Sequence, residues 1–196
     1  MERIAPSPPR PFVALALAAW ALFSILASAP VQAAGGGSPA IGRISLSTDG
    51  TALFVDLTLQ HGFTKEVLEG LQSGLRLIFS YELELVRPRL IKDSEVARVR
   101  VERTINYDPL RDEYHIVHGA SPVFVTVKGL ERAEAEVSRL HVRLVSVDRL
   151  QWGQLYRLRV RASVRKVETG LRLGRMLGIF SRWGYQTPWK IMEFSY

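Results

Sequence analysis

Residues 75–86 read Leu-Arg-Leu-Ile-Phe-Ser-Tyr-Glu-Leu-Glu-Leu-Val, and this stretch decides the fold class. Every odd-numbered position in it is apolar, whereas four of the six even-numbered positions are polar or charged. Because successive side chains of a β-strand point to opposite faces, a period of two predicts a long strand with one buried face. Pro88, which lacks a backbone donor, ends the predicted strand.

Further alternating or apolar runs surround this strand. They cover residues 44–47, 53–59, 97–107, 114–117, 123–127 and 156–164. The connections between most of them are too short for parallel crossovers, so the strands are expected to pair antiparallel. Arg103 interrupts the apolar side of its run, which predicts a twist or a bulge there. The pattern predicts a mainly β (α+β) fold, a single antiparallel β-sandwich or curled sheet of about seven strands.

Helical spacing occurs in three places. Thr64 is placed to cap a short helix that Gly74 ends. A second short helix presents a narrow apolar face, made by Leu130, Ala133, Val137 and Leu140. Residues 170–183 predict a C-terminal amphipathic helix, with Leu173, Met176, Leu177, Phe180 and Trp183 on one face and Arg172, Arg175 and Arg182 on another.

The N-terminus has the pattern of a secretory signal peptide. Arg3 and Arg10 precede the apolar residues 12–26, and Val31-Gln32-Ala33 forms an A-x-A-like cleavage signal. The apolar run is shorter than the ~20 residues of a membrane span, although a retained signal anchor is the main alternative to cleavage. We therefore predict a signal peptide over residues 1–33 cleaved between Ala33 and Ala34, a flexible linker over 34–40, and one β-rich domain over 41–196. The predicted location is the periplasm.

Composition narrows the classes of partner. The chain has no cysteine, which excludes disulfides, a lipid anchor on cysteine and thiolate metal sites. Its net charge is +7, and removal of residues 1–33 takes away Arg3, Arg10 and Glu2 and leaves +6. A basic exported protein meets anionic lipid headgroups, lipopolysaccharide or acidic protein surfaces, and nucleic acid is not an expected partner.

Two features have the composition of a binding surface, and each has two interpretations. The arginines at alternate positions of the last long strand, Arg157, Arg159 and Arg161, would grip phosphates or an acidic partner. Alternatively they pair across strands with Glu82 and Glu84. The C-terminal helix would either lie on a membrane surface or close one end of the sheet.

Catalytic and cofactor motifs are absent from the sequence. There is no Gly-x-Ser-x-Gly elbow, no P-loop and no dinucleotide-binding glycine pattern. The four histidines are scattered and form no converging metal ligand set. The sequence therefore predicts a protein that is not an enzyme and carries no cofactor or metal.

Several runs together resemble a known family. They are residues 46–50, 62–64, 79–83 and 105–110 with Tyr114, and the ending 181–183 with Trp189. On these runs the chain resembles an uncharacterised family of exported bacterial proteins, the domain of unknown function 4390. The resemblance implies a proteobacterial exported protein, sometimes encoded beside a membrane sensor kinase of the nitrogen-regulation type. It implies no catalytic residues.

The leading hypothesis is a non-enzymatic periplasmic domain that binds a periplasmic or inner-membrane protein, or an anionic membrane surface, through a basic face. The expected contact residues are Arg157, Arg159, Arg161, Arg172, Arg175, Trp183 and Trp189. The alternative is a carrier or sensor of a small hydrophobic ligand, held between the sheet and the C-terminal helix. An envelope hydrolase is a distant third.

Overall fold

The structure is a computed structural model that describes residues 37–119, 123–167 and 183–196. In these ranges the protein is mainly β, with two α-helices and one short 3₁₀ helix. The predicted signal peptide with its cleavage site at Ala33 and Ala34, and residues 170–182 of the predicted C-terminal helix, lie outside the described residues. Neither α-helix in the described part of the chain is long and apolar enough to cross a membrane.

In the described residues, ten strands form two antiparallel sheets. The strands are β1 Ala40–Thr48, β2 Ala52–Gln60, β3 Leu77–Arg87, β4 Ser94–Asp108, β5 Glu113–His118, β6 Phe124–Lys128, β7 Arg139–Ser146, β8 Leu155–Lys166, β9 Tyr185–Gln186 and β10 Lys190–Ser195. The small sheet has the order β1-β2-β7, and the large sheet has the order β10-β8-β3-β4-β5-β6 with β9 also paired to β8. The helices are α1 Lys65–Gln72, α2 Leu130–Ser138 and the 3₁₀ helix Val147–Arg149.

The mainly β class and the two short helices are confirmed, but three strands are absent from the sequence prediction: β7, β9 and β10. Strand β7 follows α2 without a loop, and this is why the helical spacing in the sequence includes Leu140, which lies in β7. Leu140 instead begins the buried row of β7, together with Val142 and Leu144. The helix face is correspondingly shorter, because Leu130 lies at the surface and Ala133 and Val137 are the buried apolar residues of α2.

Strand β3 lies at the centre of the large sheet, between β4 and β8. Its odd-numbered residues from Leu77 to Leu85 are fully buried, as predicted. The prediction of a single buried face is wrong, however, since Ser80 and Glu84 on the opposite face are also buried. The neighbouring strands supply their partners: the Ser80 hydroxyl donates to Glu102 of β4 at 3.1 Å, and arginines of β4 and β8 flank Glu84.

Arg103 causes no bulge. It pairs directly with Phe79, and the register shift lies instead where Leu85 pairs with Ala97 and Val86 pairs with Glu95, which makes Val96 the extra residue. Arg103 donates a hydrogen bond to the carbonyl of Glu136 at the C-terminal end of α2. The buried hydroxyl of Tyr81 donates to the next carbonyl, that of Val137, at 2.8 Å. Two strands of the large sheet thus satisfy the last carbonyls of α2.

One hydrophobic core joins both sheets and both α-helices, and every described residue of it lies at or after Ile41. Residues Gly37–Tyr196 form a compact unit. A chain of residues 34–196, the predicted mature form, therefore keeps the whole of the described core.

A leucine pair tests this assignment of the core. Leu83 is completely buried on β3, whereas Leu110, in the turn between β4 and β5, is 95% exposed. We expect Leu83→Ala to lower the free energy of unfolding of residues 34–196 by about 3 kcal/mol, because it removes buried methyl groups and leaves a cavity. The matched Leu110→Ala should change it by less than about 0.5 kcal/mol. Urea unfolding measures both, and similar losses for the two variants would contradict the placement of β3.

Candidate functional site

The outer face of the large sheet is the face that carries Ser80, Glu82 and Glu84, turned away from the core residues of β3. Strand register places an arginine on each side of both glutamates. Arg98 of β4 and Arg159 of β8 flank Glu84. Arg100 and Arg161 flank Glu82 in the same way. We call these six residues the arginine–glutamate lattice.

Each glutamate divides its two carboxylate oxygens between the neighbouring strands. Glu84 Oε1 lies 3.0 Å from Arg98 Nη1, and its Oε2 lies 2.6 Å from Arg159 Nη2. Glu82 Oε1 lies 3.7 Å from Arg100 Nη1, and its Oε2 lies 2.6 Å from Arg161 Nε. Of the two interpretations of the arginine row, cross-strand pairing with Glu84 and Glu82 is found for Arg159 and Arg161, whereas Arg157 pairs with Asp93 and Glu193 instead.

The pairing continues beyond the lattice and leaves no excess charge in the network. Arg157 contacts Asp93 and Glu193, Arg165 contacts Glu102, and Arg98 also contacts Glu95. The network then holds six arginines and six carboxylates: Arg98, Arg100, Arg157, Arg159, Arg161 and Arg165, with Glu82, Glu84, Asp93, Glu95, Glu102 and Glu193. The expectation of a basic stripe is corrected accordingly, because carboxylates match these arginines one for one.

Glu84 is the energetically sensitive member of the lattice. Only 8% of its side chain is exposed, so water screens its pairs poorly. A buried carboxylate that loses one arginine keeps its desolvation cost without the matching attraction. Glu82 and the outer arginines are more exposed, and their pairs contribute less.

Trp189 covers part of this lattice because of a break in the edge strand. Thr187 exchanges two hydrogen bonds with Ala162, through its backbone N–H and its hydroxyl oxygen. Pro188 follows without a donor, and pairing resumes at Lys190 opposite Val160. The Trp189 ring then lies 4.3 Å from the Arg161 guanidinium carbon and 5.8 Å from that of Arg159, in cation–π contact.

The structure separates the other predicted contact residues. Trp183 packs against the core, where its ring lies beside Gly70 of α1 and would collide with a side chain at that position. Trp183 therefore has different neighbours from Trp189, which contacts arginines on the outer face. Arg172 and Arg175 lie outside the described residues.

A groove of about 640 Å³ occupies the other end of the outer face. Its floor follows one row of paired residues across four strands, Ile78, Thr104, Val117 and Phe124. Arg76, Arg111 and His115 also line it, and no acidic residue lines it among the residues that the structure describes. Neither arginine forms an ion pair within the part of the chain that the structure describes. The groove has the composition of a site for a ligand with an apolar chain and an anionic group.

Histidines and acids do not assemble into a metal site in the described ranges, where no group of three such ligands converges. His141 contacts Asp56 at 2.7 Å and stacks on Phe54, which gives it a structural role on the small sheet. His118 contacts Glu136 of α2 at 3.0 Å.

The chain matches one known protein family over nearly its whole described length. The model for a domain of unknown function, DUF4390, matches residues 37–193, which span both sheets and nearly all of the described residues. The chain belongs to the DUF4390 family. No curated protein and no solved structure matches it. Membership of DUF4390 supplies no activity, so function has to be inferred from this chain's own surfaces.

Sequence reasoning missed two of the six lattice residues, Arg98 and Arg100, and all of the groove. Arg98 and Arg100 alternate with apolar residues along β4, and this signal was sufficient to place them opposite Glu84 and Glu82 once the β3–β4 register was known. The groove has no comparable signal, because its floor is formed only when four separate strands align.

Two arginine substitutions on β8 test the role of Glu84. Arg159→Glu should lower the free energy of unfolding by about 2–3 kcal/mol, because it sets a second carboxylate against a buried one. Arg165→Glu, on the same strand and face, affects only the exposed contact with Glu102 and should cost less than about 1 kcal/mol. Urea unfolding at neutral pH compares the two, and equal losses would show that burial of Glu84 does not matter.

Proposed function

We propose that this protein is an exported, non-enzymatic binding domain that engages a protein partner through the outer face of its large sheet, centred on Trp189. The observation that carries this proposal is the position of Trp189, which is half-buried above two arginines that are themselves fixed by glutamates. Tryptophan and arginine are the residues that most often dominate the binding energy of protein interfaces.

The lattice supports a protein partner over a simple anionic surface. The network that contains it holds six arginines and six carboxylates, so the outer face offers little long-range attraction to a polyanion. Its side chains are already held by ion pairs, and a surface that is fixed before binding loses less conformational entropy when a partner arrives. Ile191 lies on the same face opposite Arg159 and is 55% exposed, which adds an apolar contact beside Trp189.

The partner class that we propose is a periplasmic or inner-membrane protein, and the family resemblance adds a sensor kinase to that class. The surface carries both charges in alternating rows, so a complementary partner is expected to present both charges too. The absence of catalytic motifs from the sequence supports a binding role.

Site-specific photocrosslinking in cells that export the chain tests this surface. A photoreactive benzoylphenylalanine at Ile191 should give a discrete crosslinked species, whereas the same residue at Thr58, exposed on the small sheet, should not. Trp189→Ala should remove the species formed at position 191, because it deletes the central aromatic contact.

Phe54→Ala is the matched control, since it removes an aromatic ring from the small sheet, where Phe54 stacks on His141. It should leave crosslinking at position 191 unchanged. A species that persists in Trp189→Ala, or that forms equally at position 58, would remove the outer face from consideration. Substitution of Arg157, Arg159 and Arg161 together is unsuitable here, because it would also destabilise the fold through Glu84.

The groove supports a second candidate function, the binding of a small hydrophobic ligand that carries a negative charge. The sequence predicts such a ligand between the sheet and the C-terminal helix, but the core fills the buried face of β3, so the site proposed here is the groove on the outer face. Apolar side chains from β3, β5 and β6 would contact the ligand chain, and Arg76 and Arg111 would pair with its acidic end.

Dodecanoate is a suitable probe, and isothermal titration calorimetry measures its binding to residues 34–196. The double variant Arg76→Ala with Arg111→Ala should weaken binding about tenfold or more, since it removes both charge-assisted contacts. Arg43→Ala with Arg139→Ala removes two exposed cations of the small sheet and should have no effect. If dodecanoate does not bind, or if both double variants weaken it equally, the groove is not a site for such anions.

Two finer features of the fold are also part of this proposal. We infer that the two sheets pack as a sandwich, supported by the single core to which both contribute. We infer that residues 170–182 form the C-terminal amphipathic helix, supported by their sequence periodicity alone, whereas Trp183 itself belongs to no helix.

A further inference from the structure

The loop between β3 and β4 exposes two aliphatic side chains at its tip. Leu90 and Ile91 are both fully exposed, and they stand between Arg89 and Lys92. Apolar side chains in full contact with water contribute nothing to the core, and adjacent exposed ones mark surfaces that become buried in a complex.

More exposed apolar surface lies at the same end of the large sheet. Trp152, in the connection that leads into β8, is 85% exposed, and Leu155 at the start of β8 is also exposed. The two loops are joined at their bases, because Arg87 at the end of β3 donates a 2.6 Å hydrogen bond to Gln151. We call Arg89, Leu90, Ile91, Lys92 and Trp152 the apolar tip.

Two cations of this tip, Arg89 and Lys92, form no ion pair within the described residues. The two carboxylates that follow them in the chain are engaged by other arginines, Asp93 by Arg157 at 3.4 Å and Glu95 by Arg98 at 2.7 Å. Segments that bind the interface of an anionic bilayer combine exposed aliphatic side chains, a tryptophan and flanking cations, and this tip has all three.

We propose that the apolar tip is a membrane-contacting site, which places Leu90 and Ile91 in the interfacial region of an anionic lipid surface. The loop is the end of the β3–β4 hairpin, and its two exposed aliphatic side chains are adjacent in the chain. Trp152 suits the level of the headgroups, because one end of its ring is apolar and the other end can donate a hydrogen bond to water. The site is distinct from the outer face and does not depend on the function proposed for it.

Vesicle co-sedimentation of residues 34–196 tests the site, with vesicles of phosphatidylglycerol and phosphatidylcholine compared with phosphatidylcholine alone. We expect binding to the anionic vesicles that weakens at high salt. Leu90→Ser with Ile91→Ser should reduce the partition coefficient about tenfold or more, as expected when two side chains no longer enter the interface. Arg89→Gln with Lys92→Gln should reduce it by a similar factor and flatten the salt dependence.

Leu110→Ser is the matched control, because Leu110 is an equally exposed leucine in a turn at the opposite end of β4. It should leave vesicle binding unchanged. Every variant retains Arg172 and Arg175, so the difference between variants, rather than binding itself, is the measured quantity. Circular dichroism should show the same thermal transition for all of them, since none of the changed side chains is buried.

Three outcomes would overturn the membrane assignment. The first is a parent chain that does not bind anionic vesicles, and the second is an equal loss of binding in Leu110→Ser. The third is loss of the protein crosslink at position 191 in the Leu90 and Ile91 variant when vesicle binding is unaffected, which would make the tip a protein contact. Failure of the outer-face crosslink alone leaves the membrane result intact, so the two proposals fail separately.

Discussion

A buried carboxylate on the central strand constrains how the neighbouring strands of the large sheet pair with it. Glu84 is almost completely removed from water, and the cost of that burial is offset only if both of its oxygens find cations. Arg98 and Arg159 supply them from the two neighbouring strands. The registers of β4 and β8 against β3 are therefore coupled to one ionised side chain, because a slip of one residue would turn an apolar side chain toward it.

The same constraint explains why the outer face is ordered although it is rich in charge. Arginine side chains normally lose considerable rotamer freedom when they are held in one geometry. Here each lattice arginine contacts a glutamate that is itself fixed by a second arginine, and the ring of Trp189 covers two of them. A face of this kind presents a fixed pattern of alternating charge, which suits selective recognition better than general attraction.

Sequence reasoning reached the parts of this structure that depend on local periodicity. The alternation of β3 and β8 placed their buried rows correctly, and the pairing of Arg159 and Arg161 with Glu84 and Glu82 was among the alternatives derived from it. It failed where two periodicities meet, as at Leu140, and where a strand is interrupted, as at Pro188. The groove forms only when four strands align, and Trp152 lies near the β3–β4 loop only because β8 pairs with β3. Both depend on long-range strand register, which a single sequence does not contain.

The length of strand β3 also fixes the distance between the two ends of the large sheet. Its eleven residues run from the groove, where Ile78 lies, to the loop that carries Leu90 and Ile91. At about 3.3 Å per residue the ends of this strand are roughly 33 Å apart. Such a span is close to the hydrocarbon thickness of a bilayer. A domain seated on its loop end would hold the groove well clear of the headgroups, open to molecules that travel through the aqueous space.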